Sequence, residues 1–188
     1  MAVIQVDVSR LQPGASGDDG SWYVEADGSY LTINKGEIEF INGEVGIRIF
    51  NNATILGGTF SNKVTNFGAR TILGGIFNGE VDNDGTILSG TFNQPVTIKS
   101  NGTISGGEFY KEVTNTGGVI KNLIAKDGFS LSSKNTNAEK ITIVDNGVNI
   151  NKTSFDKINN IVVEKDAKVI FSGVSIADGG LWLTKTPN

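Results

Sequence analysis

The chain predicts an all-β fold, a parallel β-solenoid of short coils, and three observations carry that expectation. A phrase of the form T-I-x-[G/S]-G-x-F returns at Thr54, Thr71, Thr86 and Thr103, so the spacings are 17, 15 and 17 residues. Units this short bury no core alone and must stack on their neighbours. Glycine is abundant at 25 residues against 3 prolines, and Asn and Thr are frequent, a composition of many short strands and tight turns. Sustained helical periodicity is absent; the one stretch with a helical flavour, Lys134 to Ile141, has no apolar stripe at three and four residue spacing.

The same frame extends upstream from Glu39, with Phe40, Gly43 and Val45 in the motif positions, and more loosely downstream from Val119. Six coils averaging about 16 residues thus cover 39–134. Residues 1–38 read as a lead-in and cap. From 135 to 188 apolar runs recur every 20 residues, at Lys140–Ile150, Asn160–Ile170 and Gly180–Thr184, which fits either wider coils or a small antiparallel cap.

Three columns stay apolar through the coils and form the expected core. They are Phe40, Ile55, Ile72, Ile87, Ile104 and Ile120; Val45, Phe60, Phe77, Phe92, Phe109 and Ala125; and Ile49, Val64, Val81, Val96, Val113 and Phe129. The first two columns lie five residues apart, so an unbroken strand would put them on opposite faces. The chain must bend between them, at Gly57/Gly58, Gly74/Gly75 and Gly106/Gly107, and Ser89 before Gly90 marks the second glycine as the stricter requirement. Two residues past the third column comes Asn51, Asn66, Asn83, Ile98, Asn115 and Leu131, an expected inward asparagine ladder closing the corners. Ile41, Leu56, Leu73 and Leu88 follow the first column and point outward. An aliphatic stripe in water needs a cover, and the expected ones are the segment Ser21–Ile33 or a second copy of the chain.

A net charge of −4 and a pI near 4.9 argue against binding a phosphate backbone. With no Cys and no His, thiolate and imidazole chemistry is excluded, and no cofactor is expected. No apolar run is long enough to span a membrane, and the first residues hold no signal-peptide core. The ending "GGLWLTKTPN", straight after a strand-like run, fits a segment excised from a longer protein. The only acidic cluster, Glu80, Asp82 and Asp84, is a weak candidate for a metal or an acid/base pair. Lys63 and Lys99 at matching positions of the neighbouring coils favour cross-coil ion pairing. For ligand binding the candidates are Trp22, Tyr23, Tyr30 and Tyr110, since aromatic rings stack on the C–H faces of sugars. The competing role for Trp22 and Trp182 is to plug the two ends of the core. The outward row Glu44, Thr59, Ile76, Thr91 and Glu108 is too irregular for an ice-binding array.

The run "GGTFSNKVTNFG…TILGGIFNGEV…GTILSGTFN" resembles the glycine-, asparagine- and threonine-rich solenoid repeats of bacterial surface and adhesin-like proteins, within the right-handed β-helix (pectin-lyase-like) class. The resemblance covers about half of the chain and carries no clustered Asp and His of a pectate lyase or polygalacturonase. It implies an extracellular or cell-surface, non-enzymatic protein acting as an adhesin stalk or carbohydrate-binding module. The alternatives are a polysaccharide-degrading enzyme and a self-assembling structural protein; a weaker likeness, of coil length alone, is to bactofilin-type filaments.

Overall fold

The computed structural model describes residues 2–178 and 183–187. It is a parallel β-solenoid of about eight turns, and its all-β character matches the expectation. Each central coil supplies three short strands. Two lie on either side of the glycine corner and build a 14-stranded bent sheet, and the third builds a flat 10-stranded sheet opposite. The first strands are β1 (Val3–Asp7), β2 (Trp22–Val24), β3 (Tyr30–Ile33), β4 (Glu37–Val45), β5 (Arg48–Asn51) and β6 (Thr54–Phe60).

Registers between coils show how the repeat becomes a core. Ile55, Ile72, Ile87, Ile104 and Ile120 stand on consecutive rungs of the bent sheet, and Phe60, Phe77, Phe92 and Phe109 on those beyond the corner. All of them are buried. The rings of Phe60, Phe77, Phe92 and Phe109 stack at 4.9, 4.8 and 4.6 Å with interplanar angles of 19°, 7° and 8°. Ring spacing therefore follows the strand spacing of about 4.8 Å, so identical residues on successive rungs pack face to face without adjusting the backbone.

The second glycine of each pair makes the corner. Gly58, Gly75, Gly90 and Gly107 have φ of 139°, 128°, 136° and 110°, whereas Ser89 occupies the first position of its pair without positive φ. A Cβ on Gly75 would lie 3.0 Å from the Gly58 carbonyl oxygen and 3.0 Å from the Phe60 ring.

Four columns differ from the expected assignment at their ends, each for a countable reason. Ile38, and not Phe40, stands on the rung of Ile55, because seven residues separate Ile38 from Val45 where five separate Ile55 from Phe60. Phe40 falls in this longer bend, buried, with its ring edge-on to Phe60 at 5.6 Å. Ile41 consequently pairs with Asp7 and leaves the row of Leu56. At the other end Val113 pairs with Leu131 rather than Phe129, and Asn115 with Ser133 rather than Leu131, because this coil is two residues longer than the assumed frame.

Beyond residue 118 the glycine pair disappears, and Leu123, Ile141 and Ile161 fill an inward column that the central coils leave empty. The strands lengthen to Val119–Ala125, Thr136–Ile143 and Ser154–Val163, and their pairing remains parallel through Ser175–Asp178. Residues 135–178 thus continue the solenoid in wider coils, and the stretch with helical flavour is strand from Thr136 onward. Of the run Gly180–Thr184, only Leu183 and Thr184 are described, on the rungs of Ile161 and Val162. Trp182 lies outside the described residues.

At the amino end β2 and β3 form an antiparallel hairpin, and β3 is the first parallel rung under β5. The Ser21–Ile33 segment therefore belongs to the flat sheet and does not cover the leucines of the bent sheet. Leu73 and Leu88 remain 37% and 42% exposed.

Candidate functional site

Strand alternation decides which aromatic rings reach the surface. In β2, Trp22 and Val24 point inward and Tyr23 outward; in β3, Leu31 and Ile33 are buried and Tyr30 is outward. In β5, Ile49 and Asn51 are buried, which turns Phe50 outward. The register sets Tyr23 and Phe50 on either side of Thr32. Thr32, although outward, is only 7% exposed, so its neighbours roof it.

The outcome is an aromatic strip of three touching rings, Tyr30, Phe50 and Phe67, across the first rungs of the flat sheet, with Tyr23 on the same face across Thr32 from Phe50. The Tyr30 and Phe50 rings meet edge-on at 4.8 Å and 66°, and Phe50 and Phe67 are tilted by 44° at 5.9 Å. Phe67 and the outlying Tyr23 are exposed, at 40% and 37%, and Tyr30 and Phe50 are half-buried. Polar groups line its margin. Arg48 is on the rung beside Tyr30, and Thr65 on the rung beside Phe50. Burial first, and then the negative Glu25 beside it, raise the Tyr30 phenol above its ordinary value. The hydroxyl therefore stays protonated, a donor and acceptor, at neutral pH.

The structure places two of the four aromatic candidates, Tyr23 and Tyr30, on this one face. Trp22 is 1% exposed, with the Arg10 guanidinium 5.5 Å from its ring centroid and Gly17 packed on the indole. It plugs the amino end and offers no face to a ligand. Tyr110 lies away from the strip, in the outward position after Phe109, with Lys126 Nζ 5.8 Å from its ring centroid. Phe50 and Phe67 were not among the expected site residues. Each sits one residue from an inward residue of the third column or asparagine ladder, and that parity is the signal that marks them as outward.

The acidic trio is tied into cross-coil contacts. Lys63 Nζ is 2.9 Å from Asp82 and 3.9 Å from Glu80, and Asp84 accepts hydrogen bonds from the Asn101 backbone amide and side-chain amide at 3.3 and 3.2 Å. Among the described residues no three acidic groups converge as metal ligands would. The asparagine column is scaffold: Asn51 donates to Asn66 and Asn66 to Asn83, both at 2.8 Å, with all three fully buried.

No protein-family model, curated protein or solved structure matches this chain. The functional reading therefore rests on its own residues.

Proposed function

We propose that the protein is a non-enzymatic, surface-exposed solenoid module that binds carbohydrate through the aromatic strip Tyr23, Tyr30, Phe50 and Phe67. The strip carries this reading. Phe67 packs on Phe50 and Phe50 on Tyr30, with Tyr23 exposed on the same face, and such apolar aromatic surfaces accept the C–H faces of sugars while Arg48, Thr65 and the Tyr30 hydroxyl take the ring hydroxyls. Localisation outside the cell and a role as an adhesin stalk belong to the same proposal, supported by the resemblance of the repeat. Catalysis has less support, since Asp82 is engaged by Lys63 and Asp84 by Asn101.

A panel of neutral and charged oligosaccharides titrated against the protein tests the reading. Phe50→Ala and Tyr30→Ala are expected to weaken binding about tenfold or more, roughly 1.4 kcal/mol, and Tyr110→Ala to leave it unchanged. Binding that is indifferent to Phe50 and Tyr30, or absent from the whole panel, refutes it. Trp22→Ala is a folding variant and carries no information on ligand contact.

A second reading, self-association, is favoured by the exposure of Leu73, Ile76 and Leu88 at 37%, 45% and 42% on either side of the glycine corner. Light scattering over a concentration series decides it, a constant monomer mass excluding self-association.

A further inference from the structure

A concavity lies farther along the flat sheet, beside Asn115, the last asparagine of the inward column. Its outer wall is formed by Thr114 and Ser132, which stand on adjacent rungs, and its rim by Thr116, Lys134, Asn135 and Lys152. The cleft measures about 560 Å³, within the roughly 300–1,000 Å³ range of small-ligand sites.

Two features of this cleft are not required by the stacking of coils. The first is backbone conformation. Asn135 and Lys152 have φ of 53° and 45°, in the left-handed region that asparagine tolerates and lysine rarely enters. Lys152 falls where the register would bring an inward residue beside the buried Ser133; the left-handed turn swings it outward, and Thr153 goes inward in its place. An inward Lys would bury an unpaired charge, so the turn is what permits a lysine here. Strained residues held in place by their surroundings concentrate at binding sites.

The second feature is charge. In a chain of net charge −4, Lys134 and Lys152 come from successive coils to one cleft, and among the described residues neither has a carboxylate within 4 Å. By contrast Lys63 and Lys126 are each flanked by two acids on adjoining coils. On the same face Glu112 stands two residues before Thr114 and beside Ser130 on its rung. The Thr114 and Ser132 hydroxyls are half-buried and make no hydrogen bond within the described structure, unlike those of Ser133, Thr116 and Thr153, which bond to backbone carbonyls.

We propose that this cleft binds an oxyanion-bearing saccharide unit, its carboxylate or sulfate ester between Lys134 and Lys152 and its hydroxyls on Thr114 and Ser132. The ligand class rests on the carbohydrate reading above, and the cleft itself rests only on its own geometry. Two ammonium groups recognise charge, and the neighbouring hydroxyls recognise the sugar that carries it.

Calorimetric titration at fixed ionic strength tests the proposal, with trigalacturonate, a sulfated disaccharide, a neutral trisaccharide and inorganic sulfate as probes. The protein forms are wild type, Phe50→Ala and Lys134→Gln/Lys152→Asn; asparagine is chosen at 152 because it tolerates the left-handed backbone. Far-UV circular dichroism checks that each form is folded, and Lys134→Gln alone serves if the double variant is not. The expected result is at least tenfold tighter binding of one charged saccharide than of the neutral one, lost in the lysine variant and retained in Phe50→Ala. The carboxylated and sulfated probes separate the two sources of negative charge. Equal binding of the charged saccharides to wild type and the lysine variant overturns the cleft whatever becomes of the aromatic strip. Inorganic sulfate binding as tightly as either saccharide overturns the saccharide assignment, as does no binding of a charged saccharide. Lysine-dependent binding of a charged saccharide with no effect of Phe50→Ala on the neutral one upholds the cleft and refutes the strip.

Discussion

Position within the motif, rather than residue type, sets what a single side chain contributes. Gly57 and Gly75 make the point. Gly57 has no positive φ and nothing within 4 Å of an added Cβ, whereas Gly75 has φ of 128° and the Gly58 carbonyl and Phe60 ring at 3.0 Å. Gly57→Ala is expected to be neutral or slightly stabilising, and Gly75→Ala to cost more than about 1 kcal/mol, read as a shift in the urea midpoint. Equal midpoints for the two variants would contradict the corner assignment. Ile72 and Leu73 form a second such pair. Ile72→Ala removes a fully buried side chain and is expected to cost about 2 to 5 kcal/mol. Leu73→Ala, at a site 37% exposed, is expected to cost under about 1 kcal/mol. Odd and even spacing along the chain makes these faces legible in the sequence itself. The same parity marks Phe50 and Phe67 as outward, but each aromatic occurs once, in columns otherwise holding residues such as Thr65, Asp82 and Thr97 or Asp84 and Lys99, so no repeated column singles them out as a site.

At the scale of the element, the asparagine ladder shows what the repeat encodes beyond hydrophobic patterning. Asn66 accepts from Asn51 and donates to Asn83, at 2.8 Å each, and its amide also reaches the Arg70 carbonyl at 3.2 Å. Asn66→Leu keeps the branched shape in a slightly larger side chain and leaves the Asn83 side-chain oxygen without a donor inside the core. The expected loss is about 1 to 3 kcal/mol in the same denaturation assay, and a midpoint within error of wild type would mean that the ladder carries no net stability. Ile98 shows that an apolar side chain fits the column; the ladder stops on either side of it, and Asn115 turns instead to Thr136 and the Gly118 carbonyl. The ladder is readable as an inward column because of that isoleucine. The column ends are not, since Ile38 for Phe40 and Leu131 for Phe129 arise from coils two residues longer than the frame, and a fixed period cannot reveal where an insertion sits within a coil.

Over the whole molecule, each coil packs chiefly on its neighbours, so disturbance at one end does not propagate as it would in a globular core. The amino end is where this can be measured. Asp7 caps the short turn Val8–Arg10, accepting from the Ser9 hydroxyl at 2.6 Å and amide at 2.9 Å and from the Asn42 side chain at 2.8 Å. The Ser9 hydroxyl first, and then Asn42, hold the Asp7 carboxyl below its ordinary value; the Ser29 hydroxyl and amide do the same for Asp27 in the hairpin. A carboxyl depressed in the folded state stabilises fully above its unfolded pKa, and that contribution is lost as the pH falls through the folded value. The turn carries Arg10 over the Trp22 ring, so releasing it uncovers the indole. In a Trp182→Phe background, leaving one indole, acidification below the ordinary carboxylate range is therefore expected to red-shift Trp22 emission while far-UV circular dichroism still reports intact coils. Asp7→Asn should remove most of that pH dependence. Simultaneous loss of both signals at one pH would show instead that cap and coils unfold as a single unit, and that the plug at Trp22 holds the entire stack.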